Sequence, residues 1–184
     1  LGGVSLLRVV AAPIAFLLQV WRGVRDPSYR ERSRERFGRG GRVGRGSIWV
    51  HAVSVGEVQA AAPLVRALLS RYPATPLVLT TVTPTGAARA RLLFGDAIVL
   101  RYVPFDLPGS VRRFFDGIGP RVAIIIETEL WPNLYAECGR RAVPLVLASA
   151  RISPRSVRRY RRLVPLFREA LSHGIVIGAQ SEAD

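Results

Sequence analysis

The chain has 184 residues, about half of them apolar, which is enough for one domain with a sizeable core. Its formal charge is +14 and all of its basic residues are arginine, an excess that calls for an anionic partner such as phosphate, acidic lipid or nucleic acid. Cys138 is the lone cysteine, which excludes an internal disulfide, and His51 and His173 lie too far apart to give zinc-ligand spacing with it.

Residues 1–21, LGGVSLLRVVAAPIAFLLQVW, are apolar apart from Arg8 and Gln19. A spanning helix needs roughly 20 apolar residues, so this segment is barely long enough, with Arg8 snorkelling and Pro13 kinking it. It lacks the cleavage site of a secretory signal. It reads as a short span, a helix lying in the interface or a buried core helix; we expect a membrane-associating anchor over residues 1–22. Nine arginines follow between Arg22 and Arg45, opposed by Asp26, Glu31 and Glu35. Arginine beside an apolar segment marks the cytoplasmic side and attracts anionic headgroups. Residues 23–46 are therefore expected to form a basic juxtamembrane segment, with a charged, solvated helix over 27–37 and a glycine-rich linker. The glycines of GRGGRVGRG precede the first strand, so they are no phosphate-cradling loop.

From residue 47 onward, strands are predicted over 47–52, 77–82, 97–103, 122–126, 144–148 and 174–177. They alternate with helices over 58–71, 85–93, 107–115, 134–141 and an arginine-rich 156–172. Alternation with connections too long for hairpins means right-handed crossovers and a parallel sheet. Strands without polar alternation are buried on both faces. The fold class is α/β, a doubly wound, Rossmann-like parallel sheet of about six strands, occupying residues 47–184.

In such sheets ligands bind outside the carboxyl ends of the strands, where strand order reverses. With the common order 3-2-1-4-5-6, the crevice lies between the first and fourth strands. The first strand leads into HAVSVGE: Gly56 permits a tight turn, and Glu57 falls at the start of the next helix. Glu57 is either a general base for a hydroxyl or an ordinary capping glutamate. The fourth strand leads into ETELWPN, where Glu127 and Glu129 emerge directly from an apolar run. A carboxylate at that depth is costly unless paired or functional. Glu57 and Glu127 are placed to face one crevice from its two sides, which raises a catalytic reading for both. One glycine where a dinucleotide fingerprint needs three argues against an oxidoreductase. Ser54 and Gly56 in the first turn, Thr83 and Thr85 in TVTPTG, and Arg151 and Ser153 in SARISPRS are candidates for binding a substrate. Turn and capping chemistry explains the last two motifs equally well.

Taken in order, IWVHAVSVGEVQAAAPLVRAL, LTTVTPTG, YVPFDLP, ETELWPN, ARISPRS and AQSEAD resemble the amino-terminal half of the bacterial Kdo (3-deoxy-D-manno-octulosonic acid) transferases. The front segment resembles that family's membrane anchor and basic stretch. The resemblance implies the acceptor-binding domain of a two-domain GT-B glycosyltransferase. It implies transfer of Kdo from CMP-Kdo to a lipid A precursor, with inversion and without a metal or other cofactor, at the cytoplasmic face of the inner membrane in lipopolysaccharide biosynthesis. Glu57 then falls on the family's catalytic base and Glu127 on the glutamate that stabilises the transition state. The donor CMP group binds mainly the carboxyl-terminal half, which would lie beyond Asp184, so this chain alone is expected not to turn over. The asparagine usual in the family's NARLS-like stretch is Ser149 here, and its leucine is Ile152.

Two other readings stay open at this level. One is a non-catalytic module binding anionic lipid at a membrane surface, which needs only the front segment and the arginines. The other is nucleic-acid binding, disfavoured because the aromatic residues are not interleaved with the arginines and no nucleic-acid motif is present.

Overall fold

The computed structural model describes residues 32–127, 131–150 and 175–179. The expected anchor over 1–22 and the arginine-rich helix over 156–172 lie outside the described residues. Among the described residues no helix is long and apolar enough to cross a membrane.

The described elements are α1 (Ser33–Arg36), β1 (Ser47–His51), α2 (Val55–Arg71), β2 (Leu77–Thr81), α3 (Pro84–Phe94), β3 (Val99–Tyr102), α4 (Pro108–Ile118), β4 (Pro120–Ile126), α5 (Pro132–Arg140), β5 (Leu145–Ala150) and β6 (Ile175–Ala179). All strand pairs are parallel, and the sheet order is β3-β2-β1-β4-β5-β6. This is the order that puts the switch point between β1 and β4.

Successive side chains of a strand point to opposite faces, and each face here has its own apolar layer. Ile48 and Val50 of β1 and Ile124 of β4 meet Val58, Ala61, Ala62 and Val65 of α2 and Ala87, Ala90 and Phe94 of α3. On the other face Trp49, Ala123 and Ile125 meet Phe114, Phe115 and Ile118 of α4 and Leu134, Tyr135 and Cys138 of α5. Helices on both faces make the sheet doubly wound. Trp49 is fully buried, edge-on to Phe114 and Phe115 at ring-centroid distances of 5.1 and 5.6 Å. Burial of each such side chain is worth roughly 1.5–3 kcal/mol.

Helices α2, α3 and α5 start earlier than the apolar spacing predicts, and α4 starts one residue later, because capping residues and prolines set the boundaries. Ser54 caps α2 and Thr83 caps α3, each accepting a hydrogen bond from the backbone N–H three residues on. Pro84, Pro108 and Pro132 open their helices, where a missing N–H costs nothing. The third strand starts later than expected: Gly95 ends α3 at φ 53°, and one 3₁₀ turn over Gly95–Ala97 intervenes.

The charged helix expected to be solvated is instead docked. Only Ser33–Arg36 is helical among its described residues, and Glu35 and Arg36 are 7% and 3% exposed. Glu35 pairs with Arg32 at 2.7 Å and Arg101 at 3.3 Å, and its Oε2 accepts from the Tyr102 N–H at 2.8 Å. The Arg36 guanidinium lies 4.2 Å from the Tyr102 ring centroid and donates to the Val82 carbonyl at 2.8 Å. A charge leaves water only when paired and hydrogen-bonded, and these partners come from β3 and the loop after β2. The glycine-rich stretch then runs along α4: the Val43 N–H donates to the Gly117 carbonyl at 2.9 Å, and the Gly46 N–H to that of Gly119 at 2.7 Å.

Candidate functional site

His51 of β1 lies opposite Ile125 of β4, so the loops after these strands leave the sheet side by side. Glu57 follows β1 and Glu127 follows β4. The structure brings both to the switch point.

Glu57 occupies the third position of α2 and is 7% exposed. Its Oε2 accepts from the Val53 N–H at 2.7 Å, and its Oε1 accepts from the Ser54 hydroxyl at 3.0 Å. The Glu57 N–H in turn donates to Ser54 Oγ at 3.4 Å. This reciprocal arrangement is a capping box shifted back by one residue on its acidic side. The capping and catalytic readings of Glu57 are therefore compatible: capping fixes the carboxylate, and each oxygen keeps a further lone pair for a guest. Burial raises its proton affinity above that of an ordinary glutamate. The bonds from Val53 and Ser54 oppose that rise, and the charge of Glu127 adds to it.

Gly56 lies inside the first turn of α2, so the tight turn expected there is not its role. A Cβ at Gly56 would meet only Ser54 Oγ, at 3.8 Å. The residue is exposed, whereas Glu57 beside it is buried.

Glu127 sits at φ 60°, in the left-handed region, with its N–H donating to the Ala148 carbonyl at 2.9 Å. It is exposed, which corrects the expectation of a carboxylate held at depth: β4 ends at Ile126, as expected, and Glu127 just beyond it is open to solvent. The cost at this position is in the backbone, since a non-glycine residue there is strained by about 1–2 kcal/mol.

Thr83 Oγ1 accepts from the Gly86 N–H at 3.0 Å, and the exposed Thr85 hydroxyl donates to Thr83 Oγ1 at 3.4 Å. Gly86 is required by close approach, because a Cβ would fall 2.5 Å from Thr81 Oγ1. The Thr81 hydroxyl donates to the Val53 carbonyl at 2.9 Å, which ties the TVTPTG loop to the loop carrying Glu57. Glu129, Arg151 and Ser153 lie outside the described residues.

Two features escape a reading of the sequence. One is a buried polar cluster beneath the crevice: Thr80 Oγ1 accepts from Trp49 Nε1 at 2.8 Å and lies 2.9 Å from His51 Nδ1. His51 is fully buried, and burial lowers its pKa to about 4, so the ring is neutral at physiological pH. Trp131 of ETELWPN stands edge-on to it at 5.6 Å between ring centroids.

The other is Asp106, from the PFDLP stretch. Its Oδ2 accepts from the Asn133 N–H at 3.0 Å and its Oδ1 from the Leu134 N–H at 2.9 Å. The Asn133 side chain donates to the Asp106 carbonyl at 2.5 Å. The signal that could have found it is the start of α5: Trp131 offers no side-chain cap, so the free N–H groups must find an acceptor elsewhere in the chain.

The profile of the family described as "3-Deoxy-D-manno-octulosonic-acid transferase (kdotransferase)" matches residues 31–184. The chain is 40% identical over 177 residues to the 3-deoxy-D-manno-octulosonic acid transferase of Haemophilus influenzae, covering 95% of this chain and 42% of that protein. It is 44% identical over 142 residues to the enzyme of the same name from Bordetella pertussis, covering 74% of this chain and 33% of the relative. A protein of Arabidopsis thaliana described as a probable mitochondrial 3-deoxy-D-manno-octulosonic acid transferase is 34% identical, over 88% of this chain and 37% of its own length. The chain thus spans less than half the length of these relatives. With a family match over nearly all the described residues and a parallel sheet that brings Glu57 and Glu127 together, the chain belongs to the 3-deoxy-D-manno-octulosonic acid transferase family.

Proposed function

We propose that this chain supplies the acceptor side and the catalytic base of an inverting sugar transfer, from CMP-Kdo to a hydroxyl of a phosphorylated lipid A precursor. The acceptor hydroxyl approaches Glu57 through the open space beside Gly56. As its oxygen bonds to the anomeric carbon of Kdo, its proton passes to Glu57 and the bond from that carbon to the CMP phosphate breaks, CMP leaving with the electron pair. Glu127 stabilises positive charge developing on the sugar. Ser54 holds the base, and Thr83, Thr85, Glu129, Arg151 and Ser153 contact the substrates. The scheme uses a carboxylate base and calls for no metal or other cofactor.

The observation that carries this reading is the convergence of the two glutamates at the switch point, in a chain of this family. Burial makes Glu57 a stronger base than a solvated glutamate, while the bonds from Val53 and Ser54 favour its ionised form. In this proposal the donor binds a second domain of the GT-B architecture. The arginine excess meets the acceptor's phosphates and the anionic surface at the cytoplasmic face of the inner membrane.

The test is Glu57→Gln in an enzyme that unites this chain with a donor-binding half. Transfer should fall by a factor of about 10³ or more with acceptor binding largely retained. Turnover near that of the parent would remove Glu57 as the base.

A further inference from the structure

We infer that Asp106 is a positioning residue for the crevice: it fixes the start of α5, which follows Glu127 in the chain. The inference rests on the transfer reading above, and its geometry is independent of it.

A helix start leaves its first N–H groups without intrahelical partners. In α5 the first residue is Pro132, which has none, and the next two donors, of Asn133 and Leu134, both end on the Asp106 carboxylate. The first intrahelical bond then runs from the Tyr135 N–H to the Trp131 carbonyl at 2.9 Å. Every donor of the first turn is therefore satisfied, and the satisfying group comes from the loop between β3 and α4. The other end of the connection is fixed too, by the Glu127 N–H on Ala148 at 2.9 Å.

Asp106 is itself held. The Phe105 N–H donates to the Arg36 carbonyl at 2.7 Å, and the Phe105 ring meets Phe37 edge-on at 5.2 Å. Arg36 also grips the Val82 carbonyl, one residue before Thr83. One docked segment thus steadies the TVTPTG loop and the loop of Asp106, and through Asp106 it steadies the start of α5. Among the described residues before α5, Trp131 at the cap position makes no side-chain capping bond.

A misplacement of about 1 Å in a catalytic group costs on the order of 100-fold in rate. In an enzyme that unites this chain with a donor-binding half, Asp106→Ala should lower kcat at least about tenfold while KM for donor and acceptor stays within about threefold. Asp106→Asn, which keeps one carbonyl acceptor, should fall between the two. Both are assayed well below Tm, so loss of folded protein does not imitate the effect. A kcat for Asp106→Ala within about twofold of the parent, or a raised KM at unchanged kcat, would overturn the inference. If the alanine variant does not fold, the asparagine variant decides by the same criteria. Glu57→Gln is run alongside: turnover retained there rejects the transfer reading, whereas an inactive Glu57→Gln beside a fully active Asp106→Ala rejects only the positioning role.

Discussion

Burial raises the proton affinity of Glu57, and the charge of Glu127, beyond the end of the neighbouring β4, adds to that rise. Glu57 sits in the first turn of α2 and Glu127 just after β4, and the two share no hydrogen bond in the described structure. Their coupling is a consequence of the strand order alone, which places the ends of β1 and β4 next to each other.

That coupling has a kinetic signature. A base works only when ionised, so kcat/KM should fall as pH drops through the pKa of Glu57. Since that pKa is raised, chiefly by burial, the acid limb should lie above the usual carboxylate range. Glu127→Gln removes a negative charge and should move the limb to lower pH, besides slowing transfer. The pH–rate profiles of parent and variant measure this, and coincident limbs would show that the two groups do not interact.

Backbone strain at Glu127 makes a second, opposed pair of effects. Glycine has no Cβ penalty at φ 60°, so Glu127→Gly should leave stability unchanged or raise it by up to about 1 kcal/mol, while transfer falls sharply. Denaturant melts and turnover of the same preparation check both. Lower stability together with full activity would mean that the conformation serves packing and not function.

His51 predicts an acid-sensitive fold. Its folded pKa is about 4, below an unfolded value of about 6.5, so the unfolded chain binds the additional proton between those limits. Stability is full above the unfolded value and is lost as pH falls toward the folded one, by about 3 kcal/mol once pH passes below both. Thermal melts of the parent and of His51→Gln should differ in slope over this window, with the variant flatter. Parallel curves would show that His51 does not control the acid response.

Much of this was legible in the chain itself. A β-branched and apolar run at residues 77–82 and an unbroken apolar run at 122–126 mark strands buried on both faces, because only helices on either side can cover them. HAVSVGE and ETELWPN stand out because each places a carboxylate soon after an apolar strand that faces the switch point. The helix starts were misjudged by a few residues because apolar spacing reports the buried face, whereas Ser54, Thr83 and the prolines decide where the helix begins. Arg36 and Glu35 read as solvent-facing because charged side chains are rarely buried unless paired. Their partners, Tyr102, Val82 and Arg101, are remote in sequence.

The sequence by itself therefore determined the alternation of strands and helices, the family and the identity of the two crevice glutamates, since these rest on local pattern and motif. Only the tertiary structure decided that Glu57 is buried and caps its own helix, that Glu127 is exposed on a strained backbone, and that Asp106 completes a helix it does not belong to. Each of these depends on which unsatisfied donor meets which acceptor once the sheet has closed. That pairing is set by distance in space, which separation along the chain does not encode.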